Sequence, residues 1–227
     1  VNPVIVALPG TGSDADYARR AFGGTDATVI AVEPGADGLV QGYERALDDA
    51  ARSGRQVLAA GISIGACVAM QWALANPGQC AGVLAALPPW LGAPDAAPAA
   101  RSAAWTAELL RTRGLEETIH HMRASSPPWL GAELSRSWGS SATDLMALLL
   151  EATTYHAPTA EMITHLQVPL SIVGVADDPV HPVEVARTWR DAARTSTSTE
   201  ISMTDWGADP SILGRTTLAG WRMLTAG

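Results

Sequence analysis

The chain of 227 residues contains no lysine, and arginine alone supplies its positive side chains. That absence removes a set of chemistries: a serine–lysine dyad, a Schiff-base lysine and the lysine of a phosphate-binding loop are each excluded. Cysteine is almost as scarce. Cys67 falls in a helical pattern and Cys80 leads into a strand pattern, where both read as small buried apolar residues rather than metal ligands or halves of a disulfide. There is no basic block. The net charge of -8 is spread along the sequence, which argues against nucleic acid or an anionic membrane surface as partner and disfavours polyanionic substrates. No apolar run approaches ~18 residues, so no membrane insertion is expected. No basic, apolar leader precedes the first strand pattern, which reads as a cytoplasmic location. Oligomeric state leaves no mark on the sequence.

Apolar residues make up 47% of the chain, enough to bury a sizeable core in one α/β domain carrying an insertion. Val4-Ile5-Val6-Ala7-Leu8, ended by Pro9-Gly10, has the continuous apolar character of a strand covered on both faces. A short helix at 14–22, a strand at 27–32 and a helix at 39–53 follow, the last stopped by Gly54. Strand patterns recur at 56–60, 80–87, 170–175 and 200–203, with helical patterns at 66–75, 182–193 and 210–224. Between 91 and 167 the alternation breaks. That stretch shows only helical segments, at 104–113, 115–124 and 143–153. Strands separated by helices of this length predict a doubly wound, mostly parallel sheet of about six strands, with a core formed by 1–90 and 168–227 and a helical insertion at 91–167.

Gly61-Ile62-Ser63-Ile64-Gly65 joins the strand pattern at 56–60 to the Ala-rich helical pattern at 66–75. A serine at so sharp a turn has its hydroxyl raised above the sheet edge. Glycines two before and two after it let the turn close without a Cβ clash.

With these residues the sequence resembles the α/β-hydrolase superfamily, and the resemblance spans most of the chain. Its landmarks are Leu8-Pro9-Gly10-Thr11-Gly12-Ser13, the turn at Ser63, and Ala176-Asp177-Asp178-Pro179-Val180-His181-Pro182. The resemblance implies a Ser63 nucleophile, an oxyanion hole built from the amides of Ile64 and Thr11, an insertion that caps the site, and an acid at Asp178, with Asp177 the alternative. It implies no cofactor and no metal. One landmark is missing. The superfamily carries its catalytic histidine after the last strand, and here that stretch reads Met203-Thr204-Asp205-Trp206-Gly207-Ala208-Asp209-Pro210.

A base must therefore come from elsewhere. His181, the only histidine on the loop of the acid, is the first choice, and His156, near the exit of the insertion, is an alternative. His120, His121 and His165 read as surface or packing residues. Without a histidine, Asp205 or Asp209 would have to serve as a weak base with a carboxyl raised by desolvation. Trp90, Trp105, Trp129 and Trp138 lie in or beside the insertion, where they either wall an apolar pocket or hold short helices together. These residues point to a serine hydrolase acting on an ester or thioester of a small apolar acyl or aromatic group. The alternatives are a degraded hydrolase fold that binds a hydrophobic small molecule, or a carbon–carbon hydrolase or lyase of the same fold.

Overall fold

The computed structural model describes residues 3–35, 38–140 and 144–226. Its centre is a six-stranded sheet in the order β2-β1-β3-β4-β5-β6, built from Val4–Leu8 (β1), Val29–Ala31 (β2), Val57–Ile62 (β3), Cys80–Ala86 (β4), Leu170–Val175 (β5) and Ser196–Ile201 (β6). Every neighbouring pair is parallel. Parallel strands need crossovers, and the crossover helices cover both faces of the sheet. Alternate β1 residues consequently face different layers. Val4, Val6 and Leu8 pack with Leu39, Tyr43 and Leu47 of α2 (Leu39–Arg52) and with α3 (Ile64–Ala75), while α8 (Val183–Ala192) covers β5 and β6 in the same layer. Ile5 and Ala7 pack on the other side with α1 (Ala15–Phe22), beside which α10 (Ile212–Thr225) covers β4, β5 and β6.

The strand order reverses at β1. From there the chain moves outward to β2 and then returns to the other side as β3, leaving a crevice beyond the carboxyl ends of β1 and β3 where the two connections diverge. The loop after β1 and the turn after β3 are thereby adjacent, although about fifty residues separate them.

Between β4 and β5 the described residues contain four helices and no strand: α4 (Pro98–Ser125), α5 (Pro128–Ser140), α6 (Leu145–Thr154) and α7 (Ala160–Ile163). The two helices expected at 104–113 and 115–124 form one run bent at Gly114, whose φ of 80° is left-handed. Nothing in the residue pattern marks α5. Pro127-Pro128 reads as a break, yet a proline is tolerated in a first helical turn, where its missing N–H is not needed. Of the helix expected at 143–153, Thr143 lies outside the described residues.

The last strand is displaced from its expected position. β6 runs Ser196–Ile201, earlier than the pattern at 200–203, because an edge strand half open to water carries Ser and Thr and shows no apolar run. Met203 instead begins α9 (Met203–Ala208), which Ser202 and Asp205 start with a reciprocal capping box.

Candidate active site

Ser63 holds φ 56° and ψ -124° between β3 and α3, a backbone conformation costly for a residue with a Cβ. Its surroundings fix it there. The Ser63 amide donates to the Ala86 carbonyl at 2.9 Å, and the Ser63 carbonyl accepts from the Ala66 amide at 2.9 Å. A methyl group on Gly61 would fall onto the backbone of Gly65 and Ala66, and one on Gly65 would meet the Leu8 carbonyl and come within 2.8 Å of the Pro9 carbonyl oxygen. Both glycines are therefore required by close backbone approach rather than by a positive φ.

The loop after β5 brings two further side chains to the serine. His181 Nε2 lies 2.9 Å from Ser63 Oγ, and His181 Nδ1 lies 2.7 Å from Asp178 Oδ2. The other Asp178 oxygen accepts from the Val180 amide at 2.7 Å. Burial by itself would raise the Asp178 carboxyl. The hydrogen bond and charge of His181, with the amides of Val180 and His181, outweigh it and hold the group below its ordinary value. An ionised Asp178 accepts only, so the proton of a neutral His181 belongs on Nδ1 and Nε2 is left to accept from the serine hydroxyl. The side chains are 4% and 15% exposed respectively, so the carboxylate is shielded while the ring reaches the surface of the crevice.

Close to Ser63 lies the loop 9–13. A Cβ on Gly10 would stand 3.3 Å from the Ser63 Cβ. The Ser13 amide donates to the Gly10 carbonyl at 3.0 Å, closing a turn in which Gly12 has φ 76°, the geometry of a type II turn. Neither the Thr11 amide nor the Ile64 amide has a hydrogen-bond partner among the described residues, and α3 has no side-chain cap. The arrangement is a hydroxyl, an imidazole and a carboxylate in series, with the backbone of Gly10 close to Ser63.

The other candidates lie apart from this chain. Asp177 is exposed and accepts from the Met203 amide at 2.7 Å, tying α9 to the acid loop. Asp205 is engaged in the capping box, and Asp209 binds Ser211 and Arg215. Hydrogen bonds from Ser202, and from Ser211 and Arg215, pull these two carboxyls down, opposite to what a carboxylate base needs. His156, His120, His121 and His165 are all exposed. Cys67 and Cys80 are free and buried, and burial pushes both thiols up, Cys80 to about 11.

Among the described residues Asp14, Asp16 and Glu133 bring three carboxylates close together. Arg20 and Arg136 already sit among them, so guanidinium groups supply the compensating charge. Nor do the tryptophans share one role. Trp90 and Trp138 are buried in the core, Trp105 is exposed on α4, and Trp129 meets Trp206 edge to face at 4.8 Å. Trp206, on α9 where a histidine was missing, donates to the Tyr17 hydroxyl at 2.7 Å.

Two hydroxyls with no mark in the sequence, those of Tyr43 and Ser137, also reach the loop 9–13. The Tyr43 phenol donates to the Pro9 carbonyl at 2.9 Å and the Ser137 hydroxyl to the Gly12 carbonyl at 2.8 Å. Tyr43 occupies one of several apolar positions of an amphipathic helix, and Ser137 sits in a helix the sequence concealed.

No family model matches the sequence, and no curated protein matches it. Solved structures do. The chain is similar to a hydrolase from Oleispira antarctica, with TM-score 0.76 and 14% identity over 100% of this chain and 92% of that one. It is similar also to MenH from S. aureus, with TM-score 0.73 and 16% identity over 99% and 95% of the two chains. A thermophilic esterase gives TM-score 0.71 and 15% identity over 99% and 89%. At such identities the likeness is one of fold: the chain has the α/β-hydrolase fold.

Proposed function

We propose that the protein is a serine hydrolase that cleaves an ester or thioester, with Ser63 as nucleophile, His181 as general base and Asp178 as the group that orients it. The observation that carries this reading is the hydrogen-bonded series from Ser63 Oγ through His181 to Asp178, at 2.9 and 2.7 Å. As Ser63 Oγ bonds to the substrate carbonyl carbon, its proton passes to His181 Nε2. The imidazolium so formed lies against the Asp178 carboxylate. Negative charge gathers on the former carbonyl oxygen and is met by the amides of Ile64 and Thr11. Collapse of the adduct breaks the bond to the alcohol or thiol, which takes the proton from Nε2. Water then repeats the sequence on the acyl-serine, returning the acid and free enzyme.

The segment 91–167 is read as a cap over this site. Support for an apolar acyl or aromatic substrate is the half-buried Trp129, at the start of α5, against Trp206, on a helix tied through Asp177 to the acid loop. The binding-only reading rested on the lack of a base, and a histidine within hydrogen-bond reach of Ser63 favours turnover instead.

The test is labelling with a fluorophosphonate. Ser63 is expected to be the modified residue, with a burst of one equivalent of p-nitrophenol from an activated ester, and Ser63→Ala is expected to fold normally and give neither. A folded wild-type protein that stays unlabelled sinks the reading.

A further inference from the structure

The loop 9–13 contains Gly10-Thr11-Gly12, a sequence with little intrinsic stiffness. A donor that must swing into place as charge develops contributes less than one already aimed, because reorganisation consumes the interaction. Two hydroxyls from outside the loop bear on this. Ser137 is 1% exposed, and its hydroxyl donates to the Gly12 carbonyl across 125 positions of sequence. A helical serine commonly turns back on its own helix, as Ser135 does toward the Gly131 carbonyl at 2.6 Å. Ser137 reaches outward instead.

Its bond begins a relay. The Gly12 carbonyl shares a rigid peptide plane with the Ser13 amide, and that amide donates to the Gly10 carbonyl at 3.0 Å. The Gly10 carbonyl in turn shares its plane with the Thr11 amide, pointing the opposite way. Fixing Ser137 to Gly12 thus fixes the direction of the Thr11 N–H through two planes and one turn. The Tyr43 phenol steadies the preceding plane by holding the Pro9 carbonyl at 2.9 Å. The α5 end of the relay is itself anchored to α1 by Arg136 on Asp14, at 2.7 and 2.9 Å. Each bond in the series also polarises the next.

We infer that Ser137, with Tyr43 in support, is a positioning residue for the oxyanion-binding loop, aiming the Thr11 amide at the oxygen of the acyl group attacked by Ser63. The inference rests on the serine-hydrolase reading above. Ser137→Ala and Tyr43→Phe each remove one hydroxyl, and Ser137→Cys fills the same space with a weak donor. With p-nitrophenyl butyrate, each is expected to lower kcat about tenfold or more while KM changes less than about twofold, since the lost stabilisation belongs to the transition state. Each should weaken binding of a short alkylboronic acid, whose adduct with Ser63 is tetrahedral and anionic, by a similar factor. In the wild-type protein the Thr11 amide resonance should move when that adduct forms.

Several outcomes overturn the inference. One is folded variants with wild-type kcat, and another is a loss confined to KM. Full recovery in Ser137→Cys would assign the residue to packing, and an unmoved Thr11 resonance in the wild-type adduct counts against it whether or not the variants fold. Wild-type protein that labels at Ser63 beside indifferent Ser137 and Tyr43 variants removes only the positioning role. Wild-type protein that does not label removes the hydrolase reading and this inference together.

Discussion

His181 and Asp178 lie three residues apart on one loop, so their mutual geometry is set locally. Asp178 Oδ1 accepts from the Val180 amide while Oδ2 takes the imidazole, and both contacts survive or fail with that single turn. Function then depends on how this turn is docked against Ser63. We expect His181→Ala and Asp178→Asn each to reduce hydrolysis by about 10²-fold or more, with Asp205→Asn and Asp209→Asn nearly silent. Steady-state kinetics on the four variants checks this, and a damaging Asp205→Asn or Asp209→Asn beside an indifferent His181→Ala would transfer the base to the carboxylates. Tyr43 and Ser137 add a second residue-scale dependence, on the carbonyls that flank Thr11.

At the scale of elements, the glycines divide by what surrounds them. Gly65 lets α3 start against the end of β1, where a methyl group would strike the Leu8 and Pro9 carbonyls. Gly114 bends α4 with φ 80° and has nothing near its would-be Cβ. Gly65→Ala is therefore expected to cost more than about 3 kcal/mol or to prevent folding, whereas Gly114→Ala pays only the left-handed strain, about 1 kcal/mol. Urea unfolding of both variants measures the difference, and equal losses would contradict the assignment. Gly12→Ala combines both penalties, a φ of 76° and Trp138 Nε1 at 2.6 Å from the new methyl. It should lose activity before it loses fold.

For the whole molecule, one link between α1 and α5, beside the Arg20–Glu133 pair, runs through buried Asp14, which caps α1 by accepting from the Tyr17 amide and takes two hydrogen bonds from Arg136. Burial opposes ionisation of Asp14, but Arg136 and the Tyr17 amide prevail and hold its carboxyl below the ordinary value. A folded-state carboxyl below its unfolded value of ~3.9 contributes stability that is complete above that pH and is lost as pH falls through the folded value. Asn in its place keeps the cap and loses the charge. The stability gap between wild type and Asp14→Asn should thus be open at neutral pH and close below about pH 4. A gap independent of pH would show that the Arg136 bridge adds nothing. No helix among the described residues is long and apolar enough to cross a membrane.

Short-range periodicity and turn chemistry are legible in the residues alone. Strands covered on both faces announce themselves as apolar runs, and Gly61-Ile62-Ser63-Ile64-Gly65 marks a turn that only small neighbours allow. The edge strand β6 did not announce itself, because half of it meets water, and α5 stayed hidden behind two prolines that a first turn accepts. Which residues meet across the crevice was decided only by the tertiary structure. His181 stands first among the candidate bases because it shares the loop of the acid, but no local pattern fixes its distance from Ser63, or that of His156 or of the carboxylates after β6. The direction in which the loop after β5 folds back over the end of β3 does so, and that direction comes from strand order and packing. For the same reason Tyr43 and Ser137 were illegible: a hydroxyl that holds a carbonyl 125 positions away leaves no trace in the residues beside it.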